Sequence, residues 1–243
     1  MNIDLNADAG ESFYEHRIGN DEKIIPLVSS VNLACGFHGG DPLTMARAIE
    51  IAIQNQVKIG AHPSFYDLEN FGRMDQDISP DLLEAQILYQ LSALAGMLKA
   101  RGETLHHVKL HGALYHHVNQ NQRSAEAALD AINTMRLTIN SEVIVVGMAQ
   151  SSFLKIAKMR GFHVAHEAFI DRRYHSDGSL APRSEKGSMI EDADECLTQA
   201  LQIVMNKKAD TLCVHGDHAH SVEVARKVRE GLEIAGCKIL PFI

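Results

Sequence analysis

Asp8, His38, His62, Lys109, His111, His215 and Asp217 each stand at or just past the end of a short apolar run. The runs lie in the segments IDLNADAGE, VNLACGFHGGD, VKIGAHPS, HHVKLHGALY and TLCVHGD. A carboxylate, several imidazoles and an ammonium group are the parts of general acid–base catalysis, of a divalent-metal site, or of a pocket for an oxyanion or phosphate. Asp8, among small neighbours, reads as a general base or metal ligand, or as the residue closing an Asx-turn. Of the fourteen histidines, His38, His62, His111 and His215 share a strand-end position next to Gly or Pro. Shared position favours shared function over four separate hydrogen bonds to loop backbone. Asp8, His38, His111 and Lys109 are the candidate catalytic groups, and Asp8, His38 and His62 the candidate metal ligands.

Lys109 is the lone lysine of these clusters, so its charge is either given to a substrate oxygen or paired with Glu167. Asp41 and Asp217 each precede an expected helix and serve as N-caps or as ligand contacts. Arg73, Arg172 and Arg183 are loop residues, either solvated or clamping a carboxylate or phosphate. With His62, His215 and Asp217 they form the candidate substrate-binding set.

The elements that must position these groups alternate. Apolar runs of four to six residues, bounded by Gly and polar residues, read as buried strands near 3–8, 31–35, 57–61, 106–110, 143–147, 163–170 and 211–215, with a terminal KILPF strand. Helical spacing fills 42–56, 79–101, 123–136, 192–208 and 218–235, and a short helix fits 22–30. In parallel β/α folds the carboxyl ends of the strands open on one mouth, so the scattered polar residues converge there. Two long loops, 63–78 and 171–190, flank that mouth, and the second, which contains Asp171, Arg172, Arg173, Asp177 and Arg183, is a candidate lid.

A length of 243 residues without a linker-like stretch predicts one domain, 1–243, with an aliphatic core. The net charge of −8 and the lack of a Lys/Arg run exclude a nucleic-acid partner. Four widely spaced cysteines without a CxxC pair, no leader-like start and no bilayer-length apolar run predict free thiols and a cytoplasmic protein without membrane contact. No phosphate loop, dinucleotide fingerprint, GxSxG elbow or HExxH helix is present, so any nucleotide is held in another way or by another chain.

At these residues the chain resembles the 5-oxoprolinase A-subunit family, also called LamB/YcsF. The resemblance is carried by DLNADAGE at 4–11, NLACGFHGGDP at 32–42, GAHPSF at 60–65, FGR at 71–73, HVKLHGALY at 107–115, EAFIDRRYHSDGSLAPR at 167–183 and CVHGD at 213–217. The blocks run through the whole chain in order. Two departures stand out: Leu110 replaces a typical Pro, and NKKAD replaces a longer Gly-rich acidic segment before CVHGD. Neither removes a candidate polar residue.

The resemblance implies an α/β fold, a distorted seven-stranded β/α barrel similar to glycoside hydrolase/deacetylase barrels. It further implies ring opening of 5-oxoproline (pyroglutamate) to L-glutamate with ATP as co-substrate, in concert with the B and C subunits of 5-oxoprolinase. The competing reading is a stand-alone metal-dependent amide or carbohydrate deacetylase, with a divalent metal on Asp8, His38 and His62. A third is a binding protein that only captures an anionic small molecule for partner enzymes.

Overall fold

The computed structural model describes residues 1–175, 178–183, 185–217 and 220–243. Seven parallel strands close on themselves: β1 (Asn2–Ala9), β2 (Ser30–Ala34), β3 (Lys58–His62), β4 (His107–Lys109), β5 (Ile144–Met148), β6 (Val164–Phe169) and β7 (Thr211–Val214). Closure is made by β1, which pairs Asp8 with Asn32 of β2 on one side and Leu5 with Leu212 of β7 on the other. The expected seven-stranded β/α barrel is thus the observed fold. The KILPF segment contributes only β8 (Lys238–Ile239), beside Asn2 and Ile3. Pro241 has no N–H with which to extend it.

Helices α1 (Asp21–Ile24), α2 (Pro42–Gln54), α3 (Pro80–Lys99), α4 (Gly112–Gln120), α5 (Gln122–Ile139), α6 (Ser152–Met159), α7 (Ala193–Met205) and α8 (Ser221–Ile234) fill the connections among the described residues. Asp41 caps α2 by accepting from the N–H groups of Leu43 and Thr44, and Ser79 caps α3. The apolar stripe of α3, Leu83, Ile87, Leu91, Leu94 and Leu98, is fully buried. Two helices were not expected: α4 within HGALYHHVNQ and α6 after β5. Each buries three residues in an i, i+1, i+4 pattern, Leu114, Tyr115 and Val118 in α4 and Phe153, Leu154 and Ala157 in α6, too short a run for clear periodicity. The last helix begins at Ser221, and residues 218 and 219 of its expected start lie outside the described residues, as does Asp177. No helix among the described residues is long and apolar enough to cross a membrane.

Strand alternation sorts the chemistry. Leu5, Ala7, Val31, Leu33, Ile59, Val108, Val145 and Leu212 occupy one face and join the aliphatic core. Asp4, Asn6, Asp8, Ser30, Asn32, His62, His107, Lys109, Glu167, Thr211 and Cys213 alternate with them and share register across the pairings, so they fill the barrel. Most barrel interiors are layered with branched aliphatics; this one is a hydrogen-bonded polar column. Asn6 donates to Glu167 and Thr211, Asn32 donates to Asn6, and His107 Nε2 lies 2.8 Å from Asn32 Oδ1. Gly60 makes room for the His107 ring, since a Cβ there would collide with it. At the closed end, Phe242 packs on Ile144, Val146 and Ala165.

Asp4 anchors the bottom of the column, accepting from the hydroxyls of Ser29, Ser30 and Thr211. Burial, only partly offset by those hydroxyls, pushes its carboxyl up to about 6. Because the folded-state value exceeds the ordinary one, the folded protein holds the extra proton between about pH 4 and pH 6, and stability falls as pH rises through that window. Relative to Asp4→Asn, the wild type is expected to lose about 3 kcal/mol between pH 4 and pH 7, read by urea unfolding of both proteins. A pH-independent difference would contradict this.

Candidate active site

Asp8 ends the inward row of β1. Its Oδ1 accepts from Asn32 Nδ2 and Lys109 Nζ, both at 2.8 Å, and its Oδ2 faces His62 Nε2 at 3.3 Å. Burial opposes ionisation of Asp8, but the adjacent His62 and the Lys109 ammonium outweigh it and hold the carboxyl well below its usual range. Lys109 is 2% exposed. Its ammonium reaches Asp8, Glu167 Oε1 at 2.9 Å and Cys213 Sγ at 3.0 Å. Burial disfavours the charge, yet Asp8, Cys213 and Glu167 keep Lys109 well above its ordinary value. Of the two sequence alternatives the salt bridge to Glu167 is the one observed, at a lysine that also lines the mouth. Its three N–H groups are committed to Asp8, Glu167 and Cys213, so it presents no free donor to the cavity.

The histidines divide. His62 ends β3, with Nδ1 2.7 Å from the carbonyl oxygen of Lys109. His111 precedes α4; its Nε2 lies 2.9 Å from the Phe71 carbonyl, and its Nδ1 lies 3.0 Å from His62 Nε2. Phe71 and Gly72 both have positive φ, which turns that carbonyl inward, and a Cβ on Gly72 would come within 2.8 Å of the His111 ring. His38 is 0% exposed and lies behind His111, stacked on it at 3.6 Å, with Nε2 3.3 Å from Glu11 Oε1. It does not line the mouth. Burial, with the charge of Asp8 next, raises Glu11 well above its normal value, while burial lowers His38 and His111. His215 stands across the barrel; its Nδ1 sits 2.9 Å from Asp171 Oδ1, its ring stacks on Phe169, and a ring nitrogen lies within 4.8 Å of Asp8 and Cys213 ligand atoms.

Above this floor opens a cavity of about 460 Å³ lined by Asp8, His62, Lys109, His111 and His215, with Arg73, Arg172 and Arg183 among its walls. Leu180, Ala181 and Pro182 of the 171–190 loop cover one side of it. Arg73 and Arg183 both pair with Asp217 Oδ2, at 2.5 and 3.3 Å. Asp217 thus ties the two long loops together; it neither caps α8 nor lines this cavity. Arg172 differs: it is 4% exposed, it donates to the Ala181 carbonyl, and it has no carboxylate partner among the described residues. Its Nε has no hydrogen-bond partner among them either. A second, more open depression of about 840 Å³ near Gly19, Lys23 and Arg226 lacks the inward constellation.

The sequence pattern does not assign roles here to Tyr115, which donates to Glu167 Oε2 at 3.0 Å, or to His116 and Phe169 in the cavity wall. It marks Asp171 only as a lid-loop residue. The strand-end rule applied to β6 would have found Asp171, whereas Tyr115 was hidden by the unrecognised α4.

A closed parallel barrel with a buried acid, imidazoles and a lysine at the carboxyl ends of its strands has the layout in which barrel enzymes carry their active sites. Within that class, the chain belongs to the LamB/YcsF family, whose model matches residues 3–243. It is 43% identical to the 5-oxoprolinase A subunit of Thermus thermophilus over 254 residues, covering 100% of both chains. It is 41% identical to that of Bacillus subtilis, covering 98% of this chain and 95% of the relative. The crystal structure of the lactam utilization protein from Thermus thermophilus superposes with a TM-score of 0.92 at 42% identity, covering 100% of both chains. Fold alone extends further. A family 4 carbohydrate esterase from Streptomyces lividans matches with a TM-score of 0.51 at 8% identity, covering 98% of this chain and 91% of that one. A peptidoglycan N-acetylglucosamine deacetylase domain from Eubacterium rectale matches with 0.53 at 12% identity, covering 99% and 88%.

Proposed function

We propose that this chain is the component of a multi-subunit 5-oxoprolinase that holds 5-oxoproline and opens its lactam ring to L-glutamate. The observation that carries the reading is Arg172: a buried guanidinium in the cavity wall, without a carboxylate partner among the described residues, in the same cavity as an ionised Asp8. 5-Oxoproline carries one carboxylate beside a small lactam, and Arg172 takes that carboxylate while the ring carbonyl turns toward the floor. Relatives named as the A subunit of 5-oxoprolinase, similar over their full length, support the same substrate.

In this reading Asp8 and His215, the latter oriented by Asp171, activate water. The water oxygen adds to the lactam carbonyl carbon, the C–N bond breaks, and the ring nitrogen takes a proton to leave as the amine of glutamate. A lactam carbonyl is a weak electrophile, so ATP first phosphorylates its oxygen and leaves as ADP; once water has added and the C–N bond has broken, a second water hydrolyses the resulting acyl phosphate to the side-chain carboxylate of glutamate and free phosphate. ATP enters as co-substrate with the partner B and C subunits, since this sequence has none of the common nucleotide-binding motifs. Four free thiols suit a reducing cytoplasm.

Binding to the isolated chain tests the assignment. Arg172→Met is expected to weaken 5-oxoproline about 30–150-fold, the loss of a charge-assisted pair worth about 2–3 kcal/mol. Affinity for pyrrolidinone, the same ring without the carboxylate, is expected to be unchanged. Equal titration curves for 5-oxoproline on wild type and variant would overturn the pose.

A further inference from the structure

Three hydrogen-bond acceptors converge at the floor of the mouth with no donor between them among the described residues. A backbone carbonyl only accepts, so the Lys109 carbonyl fixes the proton of His62 on Nδ1 and the Phe71 carbonyl fixes that of His111 on Nε2. What remain are His62 Nε2 and His111 Nδ1, 3.0 Å apart, with Asp8 Oδ2 3.3 Å from the former. Such a group needs a positive centre. A proton on one imidazole bridges one pair of acceptors, whereas an ion answers all three, together with Glu11 Oε1, 3.8 Å from His111 Nδ1.

We propose that Asp8, His62 and His111 bind a divalent transition-metal ion at the floor of the cavity, with Glu11 closing its inner side. Bonds of about 2.0–2.1 Å at tetrahedral angles set ligand atoms about 3.3–3.4 Å apart; His62 Nε2 lies 3.0 Å from His111 Nδ1 and 3.3 Å from Asp8 Oδ2, while Asp8 and His111 stand farther from each other, so an ion would draw them together about His62. The His62 and His111 rings are perpendicular, which lets both aim at one point. Each is anchored through its other nitrogen, as metal-bound imidazoles are.

Distance alone would also admit His38, whose ring lies with Glu11, His62 and His111 in a cluster of ligand atoms within 4.8 Å of one another. Its plane is within 4° of that of His111 at 3.6 Å, and an ion cannot lie in both planes. His38 is therefore an outer group that steadies Glu11 and His111, a change from the sequence-based set of Asp8, His38 and His62. Two imidazoles with carboxylates suit Zn²⁺, Fe²⁺, Co²⁺ or Mn²⁺ rather than Ca²⁺ or Mg²⁺. Such an ion, when bound, supplies Lewis-acid polarisation of an oxygen ligand.

The inference deepens the reading of this cavity, and its test needs neither lactam nor partner, so each reading can fail alone. The full-length chain is stripped with chelator and titrated with Zn²⁺ by calorimetry and with Co²⁺ by visible absorption. One ion per chain and a Co²⁺ ligand-field spectrum are expected. Asp8→Asn and His111→Ala are each expected to weaken binding by more than about 100-fold, beyond the 10–100-fold of an outer-group change, which His38→Ala is expected to show with stoichiometry kept. Circular dichroism reports the fold, and the near-isosteric Asp8→Asn covers the case in which His111→Ala does not fold. Substoichiometric binding with no Co²⁺ spectrum, or equal affinity in wild type and Asp8→Asn, would overturn the site in favour of a shared proton.

Discussion

Asp8→Asn is expected to lower ATP-dependent glutamate formation by the assembled enzyme about 10²–10⁴-fold, the range of a general acid–base contribution, with the fold intact. The asparagine fits the same bonds. Its carbonyl oxygen accepts from Asn32 and Lys109 as Oδ1 does, and its amide points at His62 Nε2, a nitrogen with a lone pair to receive it. What changes is the negative charge, which burial opposes and which the Lys109 ammonium sustains. Substrate affinity is expected to change far less than turnover, because in the proposed pose Arg172, elsewhere in the cavity wall, holds the carboxylate. Near-wild-type turnover in this variant would remove Asp8 from the reaction.

The second large effect concerns Lys109, and it has two readouts that separate. Lys109→Met leaves Asp8 and Glu167 as buried carboxylates without their counter-ion, at a cost of about 3–5 kcal/mol in unfolding free energy. Removing one of the two charges repairs this. In Lys109→Met/Glu167→Gln the net charge of the cluster returns to that of the wild type, and much of the lost stability is expected to return. Turnover is not expected to follow, because Asp8 still lacks the cation that holds its carboxyl low. Recovery of both together would make Lys109 a structural counter-ion alone. Wild-type stability in the single variant would show that the ammonium does not balance the pair.

Most of the barrel was legible because its strands are short apolar runs ended by Gly, Pro and polar residues, and because Asp41-Pro42 and Ser79-Pro80 announce helix starts. What escaped were α4 and α6, whose short lengths leave too few turns of pattern to read. The strand-end rule located Asp8, His62, Lys109, His111 and His215, all of which line one cavity. It could not rank them. His38 obeys the same rule yet is displaced behind His111 by stacking, and Asp217 obeys it yet is occupied by two arginines. Residue type and position specify convergence, whereas the direction of each ring depends on loop carbonyls such as that of Phe71, which no pattern in the sequence reveals.

The polar filling of the barrel is less obvious in a chain that is 45% hydrophobic. The alternation is nevertheless present in IDLNADA: Asp4, Asn6 and Asp8 against Leu5, Ala7 and Ala9. A continuous buried run and an alternating one look alike when every residue is small or apolar on one face and polar on the other. Parity in β1, carried by register through β7 to β6, is enough to set Glu167 on the same inward face as Asn6 and Thr211, where it meets Lys109.

The measurement that bears most directly on the account is glutamate release from 5-oxoproline by the purified chain, alone and with its co-purified or reconstituted partner subunits, with and without ATP. Release that requires both partners and ATP, and that falls with Asp8→Asn, is the predicted result. No release from a complex shown to be folded and assembled, or full release by the isolated chain without ATP, would contradict it.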